Sequence, residues 1–217
     1  MLELTSVLPG ISKFNRMKIL GSGHSITKYC VDDIYDDRAF YVILNHFDVI
    51  KDLARLNNAP VLFFAHDYHN ACFNPVLAKK ELKSFLGRDN VHVFLHKRDI
   101  NHENCKTDIN YPADRLVWIK NLHFYEKAQS NINYFENTEN SLLGFSSSLH
   151  SPLSLAVGNP FISEVYLYGM DLYIYQRLLR FDNGGAGSDA AIIFNANKYL
   201  LNYLYDKRQD LKIAFFN

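Results

Sequence analysis

Short apolar runs recur along this chain and alternate with segments of helical periodicity, and this alternation restricts the folds that the chain can adopt. Most of the runs are apolar on both faces, as is typical of strands buried between two layers of helices. The strand candidates are 17–21 (MKILG), 40–44 (FYVIL), 60–65 (PVLFFA), 91–95 (VHVFL), 116–119 (LVWI), 164–168 (EVYLY) and 212–216 (KIAFF). The pattern predicts an α/β fold, in which a Rossmann-like, mainly parallel sheet is sandwiched by helices.

Four segments between these runs have the spacing of amphipathic helices: 47–57, 75–86, 151–157 and 188–205. The second and third carry Pro75 and Pro152 near their starts, where proline is favoured. Ser188 or Asp189 is the expected cap of the last helix. The segment 172–188 carries three glycines and shows neither period, so we predict a short lid there.

The size of the chain, 217 residues, predicts one domain over 1–217. Hydrophobic residues make up 48% and charged residues 21%, which excludes a disordered chain. Basic and acidic residues are equally numerous, 23 of each, so no overall field attracts nucleic acid. We therefore expect no nucleic-acid partner.

The first 20 residues lack a basic head followed by an apolar run, and no stretch reaches about 18 apolar residues. The three cysteines form no CxxC motif and no even set, which favours a reducing compartment. These features predict a cytoplasmic protein. Lys79, Lys80 and Lys83 form a modest basic patch, which leaves open peripheral association with the inner membrane or simply a solvated helix face.

In open α/β sheets, ligands bind beyond the carboxyl ends of the strands. The first strand candidate is followed by a glycine loop (GSGHS, 21–25), the second by Asn45 and the third by His66 and Asp67. Gly21-x-Gly23 is an incomplete GxGxxG motif, which fits either close approach to a phosphorylated ligand at a helix start or a tight turn. Asn45 as a turn residue, and His66 with Asp67 as a structural pair, remain alternatives.

A serine-rich segment with a histidine (SSSLH, 146–150) precedes the short helix at 151–157. Its hydroxyls and the helix start suit a phosphate or a carboxylate, and a capping loop is the alternative. No metal site is expected, because His66 and His69 have no HExxH-type arrangement around them. No cysteine lies in an electropositive motif that would make it a nucleophile.

The order of these motifs resembles the bacterial sialyltransferases of glycosyltransferase family 42, which use CMP-sialic acid. The family's G-N-G-P-S loop is matched by GSGHS at 21–25, its C-N-Q strand end by LNH at 44–46, and its T-S-G turn loosely by 146–150. Its K-E-I-Y-L-S-G-I-D-F-Y segment is matched by SEVYLYGMDLY at 163–173. The resemblance covers most of the chain in order.

The resemblance implies a donor site for the CMP-sugar. The residues that match the family's donor-binding positions are Gly21, Ser22, Gly23, Ser25, Asn45, Ser147, Ser148 and Tyr173. Ser22, Ser25 and Asn45 would contact the nucleotide, Ser147 or Ser148 would lie near the donor, and Tyr173 would bind the departing phosphate. No cofactor is obligatory.

The family's catalytic histidine falls in the lid, and the matching stretch here, 183–188 (NGGAGS), contains no histidine. An inverting transfer needs a base beside the acceptor hydroxyl, and His150, His66 and Asp182 are the candidates. The resemblance implies transfer of sialic acid, or a related acidic sugar such as Kdo, to a glycan or glycolipid acceptor of lipooligosaccharide or capsule biosynthesis.

Three questions stay open at this point. Because the lid lacks the family's histidine, a catalytically inactive sialyltransferase-like protein that binds a nucleotide or a glycan remains an alternative. A nucleotide-dependent phosphotransferase is a weaker alternative, because no GxxxxGK[ST] motif occurs. A homo-oligomer is also compatible with the sequence.

Overall fold

The structure is a computed structural model of the chain. It describes residues 2–21, 23–44, 56, 58–65, 84–96, 119–128, 130–131, 134–135, 141–143, 149–170 and 190–216. Of the predicted elements, the helix at 47–57 apart from Leu56, the part of the helix at 75–86 before residue 84, and the lid at 172–188 lie outside it.

Ten strands lie in the described part of the chain: β1 Arg16–Leu20, β2 Ala39–Leu44, β3 Val61–Ala65, β4 Val91–His96, β5 Leu122–Ala128, β6 Ser130–Asn131, β7 Tyr134–Phe135, β8 Ser141–Leu143, β9 Glu164–Tyr168 and β10 Lys212–Phe216. Eight of them form one sheet in the order β10-β9-β1-β2-β3-β4-β5-β8. Every neighbouring pair in that sheet is parallel. The short strands β6 and β7 form a separate antiparallel pair. The predicted α/β fold with a Rossmann-like parallel sheet is confirmed.

Four α-helices of the described residues are α1 Leu4–Val7, α2 Val31–Ile34, α3 His150–Gly158 and α4 Ala190–Lys207. Two 3₁₀ helices cover Ile11–Lys13 and His24–Lys28. The helices α3 and α4 confirm the segments predicted at 151–157 and 188–205, and residues 84–86 are helical as predicted. The connection from β1 to β2 differs from a Rossmann crossover, because its described part holds only a 3₁₀ helix and the single turn α2.

Six of the predicted strands are confirmed, with ends shifted by one residue at most. The prediction of a strand at 116–119 is wrong at Ile119, which precedes β5 by three residues, while 116–118 lie outside the described residues. The strand β5 (LHFYEKA) was missed because a histidine, a glutamate and a lysine interrupt its apolar character. A continuous apolar run is a good signal only for a strand whose two faces are both apolar.

Alternate residues of each strand feed two separate cores, one on each face of the sheet. The first core contains Met17 and Ile19 of β1 together with Leu153 of α3 and Leu200 of α4. The second contains Leu20 of β1 with the side chains of α2 and of β3. The strand β2 is buried along its whole length, as expected for a strand covered on both faces.

Two buried polar side chains fix the turn between α3 and β9. Asn159 accepts a hydrogen bond from the Leu4 amide (2.7 Å) and donates to the carbonyl oxygens of Leu2 (3.0 Å) and Leu155 (2.9 Å). Arg208 donates to several carbonyl oxygens of the same turn, with its Nη2 2.8 Å from the Ile162 oxygen. These contacts join the chain's first residues and the end of α4 to one turn, because one side chain satisfies several backbone groups at once.

Within the ranges given above, no helix combines the length and the apolarity that crossing a membrane requires. Cys30 is a free thiol exposed to solvent.

Candidate functional site

The strand order reverses between β1 and β9. From β1 the chain continues outward to β2, β3, β4, β5 and β8, whereas from β9 it continues to β10 on the other side. Connections that leave in opposite directions open a crevice beyond the carboxyl ends of the two central strands. Gly21 and Gly169 are the residues that directly follow β1 and β9. The candidate site therefore lies where these two loops meet.

Gly21 and Gly169 approach each other so closely that neither position has room for a side chain. A Cβ on Gly21 would lie 2.7 Å from the Gly169 carbonyl oxygen and 2.8 Å from the Met170 methyl carbon. A Cβ on Gly169 would lie 2.8 Å from the Gly21 oxygen and 2.9 Å from Cβ of Ile26. Gly169 also has a φ of +65°, which L side chains rarely adopt. The place where a side chain would begin at either glycine is therefore already filled by the opposite loop, through backbone atoms and the side chains of Ile26 and Met170.

Two backbone hydrogen bonds join the two loops. The Gly21 amide donates to the Tyr168 oxygen and the Gly23 amide donates to the Gly169 oxygen, both at 2.8 Å. These amides are therefore already used within the protein, and a phosphate would need other donors. The 3₁₀ helix that follows Gly23 has only five residues, so the expected helix start offers no extended dipole to an anion. The element after Gly23 is thus a 3₁₀ helix, and the binding of a phosphorylated ligand by this loop stays a prediction.

Of the residues expected to bind the donor, Gly21, Gly23 and Ser25 are described, and all three are buried in the loop after β1. Ser25 is the second residue of the 3₁₀ helix. The other candidates lie outside the described residues: Ser22, Asn45, Ser147, Ser148 and Tyr173 for the donor, and His66 and Asp182 for the base. The structure therefore brings the glycine loop and the segment after β9 together and leaves the remaining assignments as predictions.

His150 is the first residue of α3, and its side chain is fully buried. Because α3 connects β8 to β9 in a parallel sheet, its start belongs to the carboxyl edge, the same edge as the glycine pair. A general base must come within hydrogen-bond reach of the acceptor hydroxyl. An acceptor would have to reach an enclosed ring, so the assignment of His150 as the base stays a prediction.

Aromatic rings flank the crevice on the face of the second core. The ring of Phe216 stacks on Tyr168 with centroids 4.7 Å apart, and Tyr29 meets Tyr168 edge-on at 5.3 Å. Burial, with a smaller contribution from Tyr29, raises the pKa of Tyr168 to about 12. Tyr168 therefore stays protonated near neutral pH and serves as packing, whereas the half-buried Tyr29 and Phe216 present part of their rings to solvent.

Charged residues concentrate at the opposite, amino edge of the same two strands. Arg16 donates to Asp36 at 2.7 Å and forms an ion pair with Glu164 at 2.9 Å. The hydroxyl of Tyr166 donates to Glu164, and this bond is the largest cause that lowers the pKa of Glu164. Burial opposes the ionisation of Asp36, but the bond from Arg16 and the amide of Arg38 outweigh it and lower the pKa of Asp36. This network links β1 to β9 at the amino edge, so its charges lie away from the candidate site at the carboxyl edge.

A pair of histidines lies on the first-core face of β4 and β5. Nδ1 of His92 lies 3.0 Å from Nε2 of His123, so one ring nitrogen donates to the other. His123 also stacks on Phe94, with centroids 4.9 Å apart. Burial, reinforced by His123, lowers the pKa of His92 to about 4, and burial also lowers the pKa of His123. Both rings are therefore neutral near pH 7. Across the described ranges, no group of three or more His, Cys, Asp or Glu side chains suits a metal ion.

Gly21 is one of the predicted donor-binding residues and Gly169 is not, although Gly169 lies in the matched segment 163–173 and both glycines directly follow a buried strand. The signal was present in the run YLYGMD, where glycine follows a strand and precedes an acidic residue. Its meaning depends on the strand order, which places β9 beside β1. Comparisons of the chain with models of protein families, with curated proteins and with solved structures find no match.

Proposed function

We propose that this chain is a glycosyltransferase that binds a CMP-sugar at the crevice between β1 and β9 and transfers its acidic sugar, sialic acid or a related sugar such as Kdo, to a glycan or glycolipid. The observation that carries the proposal is the approach of Gly21 to Gly169 at the point where the strand order reverses. Ligands of open α/β sheets bind at such points. The resemblance of residues 163–173 to the family 42 sialyltransferases adds the identity of the donor.

The crevice suits a nucleotide in two respects. Both strands end in glycine, so neither Gly21 nor Gly169 places a side chain of its own between the strand ends and a ligand. The partly exposed rings of Tyr29 and Phe216 offer apolar faces beside it, and a pyrimidine base can stack on such faces. Since the amides of Gly21 and Gly23 are already bonded, the hydroxyl of Ser22 and the amide of Asn45 are the proposed donors to the nucleotide.

The proposed chemistry breaks the bond between the sugar's anomeric carbon and the phosphate oxygen of CMP. The electron pair of that bond leaves with CMP, and an oxygen of the acceptor hydroxyl forms the new glycosidic bond. The proton of the hydroxyl goes to the base, for which His150, His66 and Asp182 are the candidates. Tyr173 is the proposed donor to the departing phosphate. Stabilisation of that charge lowers the barrier because charge develops there only in the transition state.

Binding of the nucleotide is tested by calorimetric titration of the full chain with CMP, and with AMP and GMP for comparison. We expect CMP to bind more tightly than the purine nucleotides. Asn45→Ala removes one or two hydrogen bonds and should weaken CMP binding by about 1–3 kcal/mol. Asn58→Ala is the matched control, because Asn58 is exposed in the turn just before β3, at the amino edge of the sheet. Equal affinity for the two variants would remove Asn45 from the site.

Turnover is tested by the release of CMP from CMP-sialic acid and CMP-Kdo, with and without a glycan acceptor. Replacing the true base, among His150→Gln, His66→Ala and Asp182→Asn, should cost about 10²–10⁴-fold in turnover and leave CMP affinity unchanged. CMP binding with no release of sugar from any donor would favour the second candidate, a non-catalytic nucleotide-binding protein. The absence of a histidine from 183–188 is the observation that favours this second candidate. No binding of CMP would refute both.

A further inference from the structure

The strand β10 ends the sheet, and half of its backbone polar groups point away from it. Within the described residues β10 pairs with β9 alone. The Lys212 amide donates to the Ser163 oxygen at 3.0 Å, so Lys212, Ala214 and Phe216 direct their amide and carbonyl groups towards β9. Because these groups alternate along a strand, Ile213 and Phe215 direct theirs outward. The outward edge therefore carries two donors and two acceptors.

An apolar groove lies between this edge and α4. Its volume is about 310 Å³, and its walls are formed by side chains of α4, of the turn after α4 and of one face of β10. Two large aromatic residues at the groove are exposed, Tyr205 by 70% and Phe215 by 40%. Long apolar edges are rare in monomeric proteins, which usually blunt them with charges, proline or bulges. Here the only charge on the strand is Lys212, at its first residue.

We propose that a second copy of this chain docks on this edge, with β10 of the two copies antiparallel about a two-fold axis at Ala214. In that register Ile213 lies opposite the partner's Phe215, and the two residues exchange both of their backbone hydrogen bonds. The axis repeats this pair, so all four outward groups of each copy are satisfied. Ala214 then faces the partner's Ala214 in the closely spaced pair without hydrogen bonds, where a small side chain fits best. The parallel sheets of the two copies then form one continuous sheet. They join at the antiparallel pair of β10 strands, which is the seam of the dimer.

The charges of α4 fit the same axis. Lys198, Asn202 and Asp206 are spaced four residues apart, so they lie along one stripe of the helix, and all three are exposed. A two-fold axis normal to the sheet makes the two copies of α4 antiparallel on one face. With Asn202 opposite the partner's Asn202, Lys198 lies opposite the partner's Asp206 and Asp206 opposite the partner's Lys198. Asn202 lines the same groove as Phe215, so the centre of the stripe lies close to the centre of the strand pairing.

The occupant is a second copy because the surface is complementary to itself. Its stripe is positive at one end and negative at the other, which matches an antiparallel copy and repels a parallel one. Its backbone groups are balanced, with as many donors as acceptors about one central alanine. The whole chain has no net charge, so no overall repulsion opposes association of two copies. An unrelated peptide strand would pair with the edge but would not need the charges of α4.

The test is sedimentation equilibrium of the full chain over a range of protein concentrations, with charge-reversal variants of α4. Lys198→Glu and Asp206→Lys each turn two symmetric attractions into two repulsions, and each should weaken dimerisation about 10-fold or more. The double variant K198E/D206K restores both pairs and should restore the dimer. Lys207→Glu is the matched control, because Lys207 is exposed on the same helix but lies over the ring of Tyr203, away from the stripe.

Phe215→Pro tests the strand seam separately. The Phe215 amide points outward and is not used by β9, so proline removes a bond of the seam and none of the sheet. The variant should be monomeric at concentrations where the unaltered chain is a dimer. A chain that is monomeric up to about 100 µM would overturn the proposal. So would a dimer that withstands both single reversals, or single reversals that the double variant does not rescue.

Discussion

Gly169→Ala tests the feature on which the candidate site rests, the contact between the loops after β1 and β9. The new methyl group would meet the Gly21 carbonyl oxygen at 2.8 Å and Cβ of Ile26 at 2.9 Å, so backbone has to move. Its φ of +65° adds about 1 kcal/mol for an L side chain. Overpacking of a closed site costs about 1–3 kcal/mol, and the lost freedom of the unfolded glycine returns about 0.4–1 kcal/mol. We expect a net loss of about 2–3 kcal/mol in the free energy of unfolding.

Gly10→Ala is the matched control, because Gly10 also has a positive φ (+83°) but nothing lies within 4 Å of its added Cβ. Gly10→Ala has the same backbone strain and the same loss of freedom in the unfolded chain as Gly169→Ala, but no clash. We therefore expect the free energy of unfolding to fall by only about 0–1 kcal/mol. Urea unfolding followed by far-UV circular dichroism measures both variants. The difference between them, about 2 kcal/mol, reports the close approach alone. Equal costs within about 0.5 kcal/mol would refute the reasoning, since the two loops would then not be in contact.

Three further predictions concern residues away from the crevice. The pKa of His92 is lowered from 6.5 to about 4, so between these pH values the unfolded chain binds more protons than the folded chain. The free energy of unfolding should therefore fall by roughly 2 kcal/mol from pH 7 to pH 5. Urea titrations at several pH values should show a flatter slope for His92→Phe, and an unchanged slope would contradict the prediction. Asn159→Ala leaves the Leu4 amide and two carbonyl groups without their partner, and thermal unfolding should show a loss of about 2–4 kcal/mol. Arg208→Lys should lose nearly as much stability as Arg208→Ala in the same assay, because an ammonium group cannot reach all the carbonyl oxygens to which the guanidinium donates. Full stability of the lysine variant would show that the charge alone matters.

The sequence predicted the six strands whose apolar runs contain one charged residue or histidine at most, and it missed β5, which contains three. The strands β2, β3 and β9 stand out as apolar runs, and their ends agree with the structure within one residue. The strand β5 contains His123, which is half-buried because it pairs with His92 and stacks on Phe94. That partnership joins residues 31 apart in sequence, so no local pattern indicates it. Hydrophobic periodicity predicts a buried strand only where the burial of its side chains does not depend on a specific polar partner.

The glycine loop after β1 was predicted from the sequence, but its partner was not. Gly21 is recognisable because strand, glycine and serine follow each other in a short motif. Gly169 gains its role only because β9 returns to the side of β1, 144 residues after Leu20. A strand order is set by how the two cores fill and by the connections that the chain can make, and a single sequence contains no direct record of either. The helix expected after Gly23 also depends on the neighbours, and here the chain forms a 3₁₀ turn that buries Ile26 against Gly169.

Within the described residues, the two ends of the central strands are held by different kinds of interaction, ionic at the amino edge and uncharged at the carboxyl edge. At the amino edge, Arg16 bridges Asp36 and Glu164, so long side chains fill the space between β1 and its neighbours. At the carboxyl edge, among the described residues, the loops meet through the backbone bonds of Gly21 and Gly23 and through the side chains of Ile26 and Met170. Larger side chains at the two glycines would collide with the opposite loop, so the smallest residues stand where β1 and β9 end. A sheet stabilised at its amino edge can therefore keep small residues at its carboxyl edge, where a nucleotide would approach the backbone.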